Sequence, residues 1–368
     1  MSEKFETMIA IHPKELIKDA LVFYKMSQKE LAKRMNLAEQ TITSLTKGKD
    51  RITQDTAIKL EKVFNTPSKF WNSAQSRYDE YLKRIEDEKN ILERETKTFK
   101  QLKLNLLCSK LKKLGYLPKT CDTLSTIKFL QSFFRVSELS LIESVFDKQL
   151  LGMAFKSNKQ VEKLDFIAWL MCGREKMRGL KVAQYDVAKF KEAISYVRKL
   201  SNQKIESVWE TIVQKYASAG VFIVCTPCIG KSSVFGYTEW VEGSPVIHLS
   251  RRGSIDYSWH SLFHESYHII QNKRSKVFVD YCGDVICDNN DIDEKNAHKF
   301  ASELLLRDDD VLNEFHSHNF RNYDYGIQMT MVKQFSNSKN IIPAITVARL
   351  QRLGIIGYNT QLNSFKKK

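Results

Sequence analysis

No stretch of this 368-residue chain reaches the ~18 uninterrupted apolar residues that a membrane span needs. The longest candidates, such as Leu104–Cys108 and Val221–Cys225, are core-sized. Met1 to Ala10 are polar and charged, without an apolar run of the signal-peptide type. A disulfide framework is missing too, because the seven cysteines are odd in number and scattered. Cys225 and Cys228 form one CxxC and Cys282 and Cys287 a looser pair, but half of a zinc ribbon is absent. Ordinary buried or surface thiols are the reading. A nucleotide loop is incomplete: Gly230-Lys231-Ser232 has Cys225 where the first glycine belongs. The expectation is a soluble, cytoplasmic protein.

What is present is 42% hydrophobic content over a length that suits two or three domains with a proper core. The net charge of +15 favours an anionic partner, nucleic acid first. The excess does not locate that partner's site. Residues 1–90 hold 17 Lys and Arg against 14 Asp and Glu. The remainder lies later, for example at Lys110, Lys112, Lys113 and the tail Lys366–Lys368.

Residues 13–64 read as a run of short helices. Pro13 suits a helix start, and Leu16, Ala20, Phe23 and Tyr24 follow at helical spacing. Ser27 is a good N-cap, and Glu30 three residues on completes a capping box. Leu31, Ala32 and Met35 form the inner face of a second helix that Asn36 can end. A third helix starts near Ala38, with Ile42 and Leu45 inward, and Gly48 closes it. Thr53 caps a fourth, carrying Ala57, Leu60 and Val63.

Two short helices, a tight turn and a third helix make a helix-turn-helix. The spacing of Gln28, Leu31, Ala32, Leu37, Thr41, Ile42, Leu45 and Gly48 resembles the Xre-type family of phage and plasmid repressors. The physical logic is a small Ala32 where helices cross, and Ile42 and Leu45 holding the recognition helix. Glu39, Gln40, Thr43, Ser44 and Lys47 then face the major groove of a double-stranded DNA operator. The resemblance puts Gln28 on phosphate and Glu39, Gln40 and Ser44 near base edges. Gln suits adenine, and Glu accepts from cytosine. A protein-binding helical bundle is the alternative. His12-Pro13, Ile52-Thr53, Thr56-Ala57, Leu60-Glu61, Phe70-Trp71, Gln75 and Tyr78 narrow the resemblance to HigA-type antitoxin regulators, which often dimerise through the segment after the fourth helix.

The expected divisions are 1–78 for this domain, 79–103 for a charged helical linker, 104–217 for a helical bridging region and 218–368 for a last domain. The linker is a solvated helix or a dimer seam. Within the bridge, Gly115, Pro118, Gly152, Gly173 and Asn202 mark boundaries. Ala154–Ser157, Ala168-Trp169-Leu170 and Gly173 resemble the helical segment preceding the catalytic domain in such fusions. A bridging bundle or an effector pocket both fit.

From Val221 the pattern turns to short β-rich runs, Val221–Val224, Ser233–Val241 and Pro245–Leu249. His264-Glu265-Ser266-Tyr267-His268 follows. Two histidines four apart share one helix face and can share a tetrahedral zinc ion (Zn²⁺). Glu265, next to the first, would take a proton from an acidified water attacking a peptide carbonyl. The extended metzincin pattern fails, since Gln271 and Arg274 stand where Gly and His belong. Asp293 to Leu305 instead reads as an antiparallel helix whose Ala297 and Ala301 permit close approach, placing Glu294 at the metal.

HExxH with Glu294, Ala297, Phe300-Ala301 and Leu304-Leu305 resembles the ImmA/IrrE metallopeptidase family. Asn340 to Tyr358 resembles the C-terminal helix of its HigA-like fusion subgroup. The resemblance implies His264, His268 and Glu294 as zinc ligands and Glu265 as general base. Three departures stand out: Tyr267 for a small residue, Arg307 for a proline, and His298 one turn from Glu294. His298 is a surface residue, a neighbour of the ligands or an alternate ligand, and His260 could also face the metal. Arg349 is a weak candidate for stabilising an oxyanion; capping or packing suits it better.

The fold class expected is α+β, mostly α: an all-α helix-turn-helix bundle, a helical middle region, and a zincin-like domain with a small β-sheet and an HExxH helix. The function expected is a transcriptional regulator whose zinc metallopeptidase domain cleaves a partner repressor or its own chain, with a homodimer possible. The alternatives are a non-enzymatic antitoxin that binds a toxin, and a peptidase whose helix-turn-helix recognises protein.

Overall fold

The computed structural model describes residues 10–147, 160–230, 234–250, 254–271, 278–281, 292–315 and 320–367. Ala154–Ser157, Lys231-Ser232, Arg274, Cys282 and Cys287 lie outside them. The chain forms two compact units, Met1–Lys97 and Thr98–Lys368, where four segments were expected.

The first unit is all helix: α1 (Pro13–Phe23), α2 (Gln28–Met35), α3 (Glu39–Lys47), α4 (Gln54–Phe64) and the start of α5 (Ser68–Gln101). The caps are local chemistry. Ser27 and Thr53 side chains accept from Glu30 N and Thr56 N. Asn36 and Gly48 take left-handed conformations that end α2 and α3. The capping box is only half formed, because Glu30 instead holds Arg34 at 2.6 Å. The inner face of α1 also differs from expectation. Ile17 and Leu21 are buried while Phe23 and Tyr24 are exposed, since α1 turns its Ile17 stripe to the shared core with Leu31, Ile42, Leu60 and Trp71. The charged stretch after residue 78 is helical as expected, and the boundary between the units falls inside α5.

The second unit begins with α6 (Leu104–Lys113), α7 (Thr123–Phe134), α8 (Ile142–Val145), α9 (Gln160–Met177), α10 (Val187–Arg198) and α11 (Trp209–Ser218). Strands β1 (Phe222–Thr226), β2 (Val234–Val241) and β3 (Ser244–Ser250) lead to α12 (Ile255–Ile270), then β4 (Phe278–Tyr281). Helices α13 (Ile292–Leu305), α14 (Asp308–Phe315), α15 (Tyr325–Ser338) and α16 (Pro343–Arg352) complete the unit. The four strands lie in the order β1-β3-β2-β4, with β1 parallel to β3 and the other pairs antiparallel.

Of the middle helices, α10 and α11 bury their apolar faces in the core of this unit. Phe190, Val197, Ile212 and Tyr216 of α10 and α11 share one cluster with Ile223, Ile247, Trp259, Phe263 and Val347. Helix α9 covers the opposite face of the sheet. There Phe166 meets Tyr237 edge-on at 5.5 Å, and Arg174 pairs with Glu239 at 2.6 Å. Gly173 lies within α9 and is not a boundary. A Cβ there would come within 2.9 Å of His248 Cε1, so glycine serves close approach.

Candidate functional site

Helix α12 is built to hold a buried polar face. Its apolar side, Trp259, Leu262, Phe263 and Ile269, joins the core, and Tyr216 OH meets Ser266 Oγ at 2.9 Å. Helix α13 packs against it antiparallel, with Ala297 and Ala301 fully buried. Arg198 fixes the far end of α13 by donating to Leu304 O at 2.7 Å and Leu305 O at 2.8 Å. It also donates to Asn340 O at 3.1 Å, just past the end of α15.

This frame brings three donor groups together. His264 Nε2 and His268 Nε2 stand 3.1 Å apart. Glu294 Oε2 lies 3.2 Å from the first and Glu294 Oε1 3.3 Å from the second. A tetrahedral zinc ion with ligand bonds of about 2.0–2.1 Å separates its donors by roughly 3.3 Å. Each carboxylate oxygen faces one imidazole at about that spacing, one ligand atom from each residue lies within 4.8 Å of the others, and two imidazoles with a carboxylate are a donor set zinc accepts. Among the described residues, these are the one group of three or more His, Cys, Asp or Glu so arranged.

Burial pushes the Glu294 carboxyl up, but the hydrogen bonds from His264 and His268 outweigh it and hold it well below the usual range. Burial lowers the His268 pKa against the opposing pull of Glu294, favouring the neutral ring that a metal ligand requires.

Glu265 is fully buried and faces β2. The Thr238 hydroxyl donates to its Oε2 in a short hydrogen bond. A Cβ on Gly236 would lie 2.7 Å from Glu265 Cγ, so this glycine makes room for the side chain. Neither residue stands out in the sequence, since the contact joins positions 27 apart. The alternation along β2 is the only signal, and it says just that both share a face.

His298 and His260 flank the group. The His298 ring is 4.3 Å from that of His264 and 5.3 Å from that of His260. Burial, then the neighbouring His264, lower the His298 pKa to about 3, so it is neutral near pH 7. Arg349 pairs with Asp308 at 2.6 Å, which is a packing role. Tyr267 leans on Phe300 at 5.2 Å. Arg307 is exposed. On the far face of the sheet, His248 and Arg174 both bind Glu239, whose carboxyl burial would raise but these partners lower to about 2.

In the first unit, Gln28 at the start of α2 and Glu39, Gln40 and Lys47 of α3 are exposed, and Thr43 and Ser44 of α3 are half-buried. Thr43 Oγ1 donates to Glu39 O at 2.9 Å, and Lys29 Nζ lies 3.8 Å from Glu39 Oε1. Ile42 and Leu45 are buried, so α3 presents its polar side outward.

Comparison with known proteins bears on this unit. The chain is similar to an addiction module antidote protein of the HigA family from Coxiella burnetii at 35% identity, over 24% of this chain and 96% of that one, with a TM-score of 0.23. It is also similar to the Pseudomonas aeruginosa antitoxin HigA with the higBA promoter at 28% identity, over 23% of this chain and 94% of that one, with a TM-score of 0.22. No curated protein matches. Residues 17–71 match the helix-turn-helix family. The four buried-faced helices and that match together identify the N-terminal unit as carrying a helix-turn-helix domain.

Proposed function

We propose that this chain is a DNA-binding transcriptional regulator whose second unit is a zinc-dependent peptidase of the ImmA/IrrE kind. It would hydrolyse a peptide bond in a partner repressor or in the chain itself. The convergence of His264, His268 and Glu294 supports the peptidase half of this reading. The helix-turn-helix match and the outward polar face of α3 support the regulatory half.

The residues divide the work by chemistry. His264 and His268 would hold zinc through Nε2 and Glu294 through its carboxylate. Zinc, when bound, supplies Lewis acidity and lowers the pKa of a water molecule. Thr238 and Gly236 fix the Glu265 carboxylate beside the first ligand. From there Glu265 can accept a proton and return it to the leaving amine. His298 and His260, neutral and stacked, wall one side of the group. A neutral ring there adds no like charge to the cation that His264 and His268 would hold.

Repression of a reporter by the wild type and by Glu265→Gln tests the reading. The variant is expected to bind DNA and repress normally but to lose relief of repression. Equal relief in both would remove catalytic control. A second reading is a non-enzymatic antitoxin that binds a toxin. It is favoured by the adjacent Val22 and Phe23 of the first unit, exposed by 77% and 79%, as partner surfaces often are.

A further inference from the structure

The positive charge of this chain is unevenly spread. Residues 79–97 of α5 hold five Lys and Arg against seven Asp and Glu. Some of these pair along the helix, such as Lys83 with Glu86 at 2.8 Å and Arg84 with Glu80 at 2.6 Å. Residues 98–136, which end α5 and form α6 and α7, hold eight Lys and Arg against Asp122 alone. That surplus of seven is nearly half of the net +15, so it is a local feature and not the mixed charge of an ordinary solvated surface.

Two of the eight turn inward to acids of α9. Lys110 Nζ lies 2.7 and 2.6 Å from the Asp165 oxygens, and Arg135 lies 3.6 Å from Glu175. Leu104, Leu107 and Leu111 of α6 are buried, so the basic side chains of this helix take its other faces. Lys100, Lys103, Lys113 and Lys119 are exposed and Lys112 is half-buried. None of these five pairs with a carboxylate among the described residues. Helix stability explains only part of the set. Lys100, Lys112 and Lys113 suit the dipole at the last turns of α5 and α6. Lys103 opposes it, being the N-cap of α6, left-handed, with no side-chain cap and no acid in the first turn. Lys119 lies between α6 and α7 and supports neither end.

The partner that answers this surface is a polyanion. Helix α6 has 10 residues and is about 15 Å long. Duplex DNA presents about nine phosphate charges over such a length. An anionic membrane would attract the same lysines, but an interfacial helix also needs an apolar stripe to bury. The one exposed apolar side chain of α6 is Leu106, at 46%. A helix-turn-helix on the same chain would also keep DNA at high local concentration. We infer that the outward surface of α6, with the flanking Lys100, Lys103 and Lys119, is a second DNA contact that holds duplex phosphates without reading sequence. The choice of DNA as the polyanion rests on the regulator reading above.

Fluorescence anisotropy of the full chain with an arbitrary duplex of about 30 base pairs, over a range of salt, tests it. Replacing Lys100, Lys103, Lys112, Lys113 and Lys119 together by Gln should make log affinity against log salt shallower by about 3–5. The same charge removed elsewhere in the unit, at the exposed Lys181, Lys189, Lys191, Lys199 and Lys204, should change the slope by less than about 1. Lys113→Glu with Lys119→Glu should also flatten the slope, and this keeps the test if the fivefold variant misfolds. An unchanged slope in the first set, or equal flattening in both fivefold variants, would overturn the surface. So would loss of binding to phosphatidylserine vesicles with duplex binding intact, which would point to a membrane. Lys47→Glu on α3 separates the two DNA contacts, and the flattening should persist in that background. Loss of all duplex binding in Lys47→Glu alone would overturn the surface. If Lys47→Glu changes nothing while the five Gln substitutions do, the α3 contact fails and the surface stands.

Discussion

At the scale of single residues, the candidate site is three donor groups plus the side chains packed around them. The pairing of His264 and His268 was legible because helical spacing alone puts both on one face. Glu294 was legible only through the alanines that let α13 approach, together with the family resemblance. Thr238 and Gly236 were not, because their meaning depends on which strand passes under α12. Thr238→Val should destabilise the second unit by about 1–3 kcal/mol, as a buried carboxylate loses a donor. Thr238→Ser should restore most of it, and thermal unfolding of the full chain reads both. His12 gives a residue-scale prediction in the first unit. Its Nδ1 accepts from Lys14 N at 3.0 Å, capping α1, and its ring lies 4.2 Å from Tyr78. Burial first, then Lys14, lower its pKa below 6.5. The folded unit thus binds fewer protons than the unfolded one. The stabilisation is complete above the unfolded value and declines as pH falls below about 6.5. Hydrogen-exchange protection factors of residues 13–64, corrected for the intrinsic rate at each pH, should fall between pH 7.5 and 5.5, and His12→Asn should flatten that dependence.

At the scale of elements, capping and periodicity made most helices readable. Ser27, Thr53, Asn36 and Gly48 all act where local chemistry puts them. Strands β1 to β3 were readable from their β-rich runs, whereas β4, four residues long, carries too little pattern to register. The inward face of α1 was misread because Phe23 and Tyr24 continue the apolar spacing at the helix end, where Phe23 is exposed and Tyr24 only lies over Phe64 at the edge of the core, its hydroxyl donating to Phe64 O. Gly173 was misread as a boundary because local rules cannot see His248 across the helix–sheet contact. Gly173→Ala should therefore cost about 1–3 kcal/mol through overpacking, despite alanine's better helix propensity. Urea denaturation followed by circular dichroism checks the sign, since propensity alone would make the variant more stable.

At the scale of the molecule, the chain joins a helix-turn-helix unit to a larger mixed unit whose sheet, covered on both faces, holds the HExxH helix. No helix among the described residues is long and apolar enough to cross a membrane. Net charge of +15 is compatible with a nucleic-acid partner, yet it lies mostly outside the helix-turn-helix, so composition pointed to a partner without locating it. The extent of the second unit was harder to read, because α10 and α11 look like an independent bundle until their apolar faces meet the sheet and α12. The account turns on whether this unit takes up metal. Zinc content of the purified full chain, measured alongside His264→Ala and Glu294→Gln, tests that directly. The expected result is about one zinc per wild-type chain and clear loss in both variants. A metal-free wild type after exposure to zinc, or equal zinc in all three proteins, would contradict it.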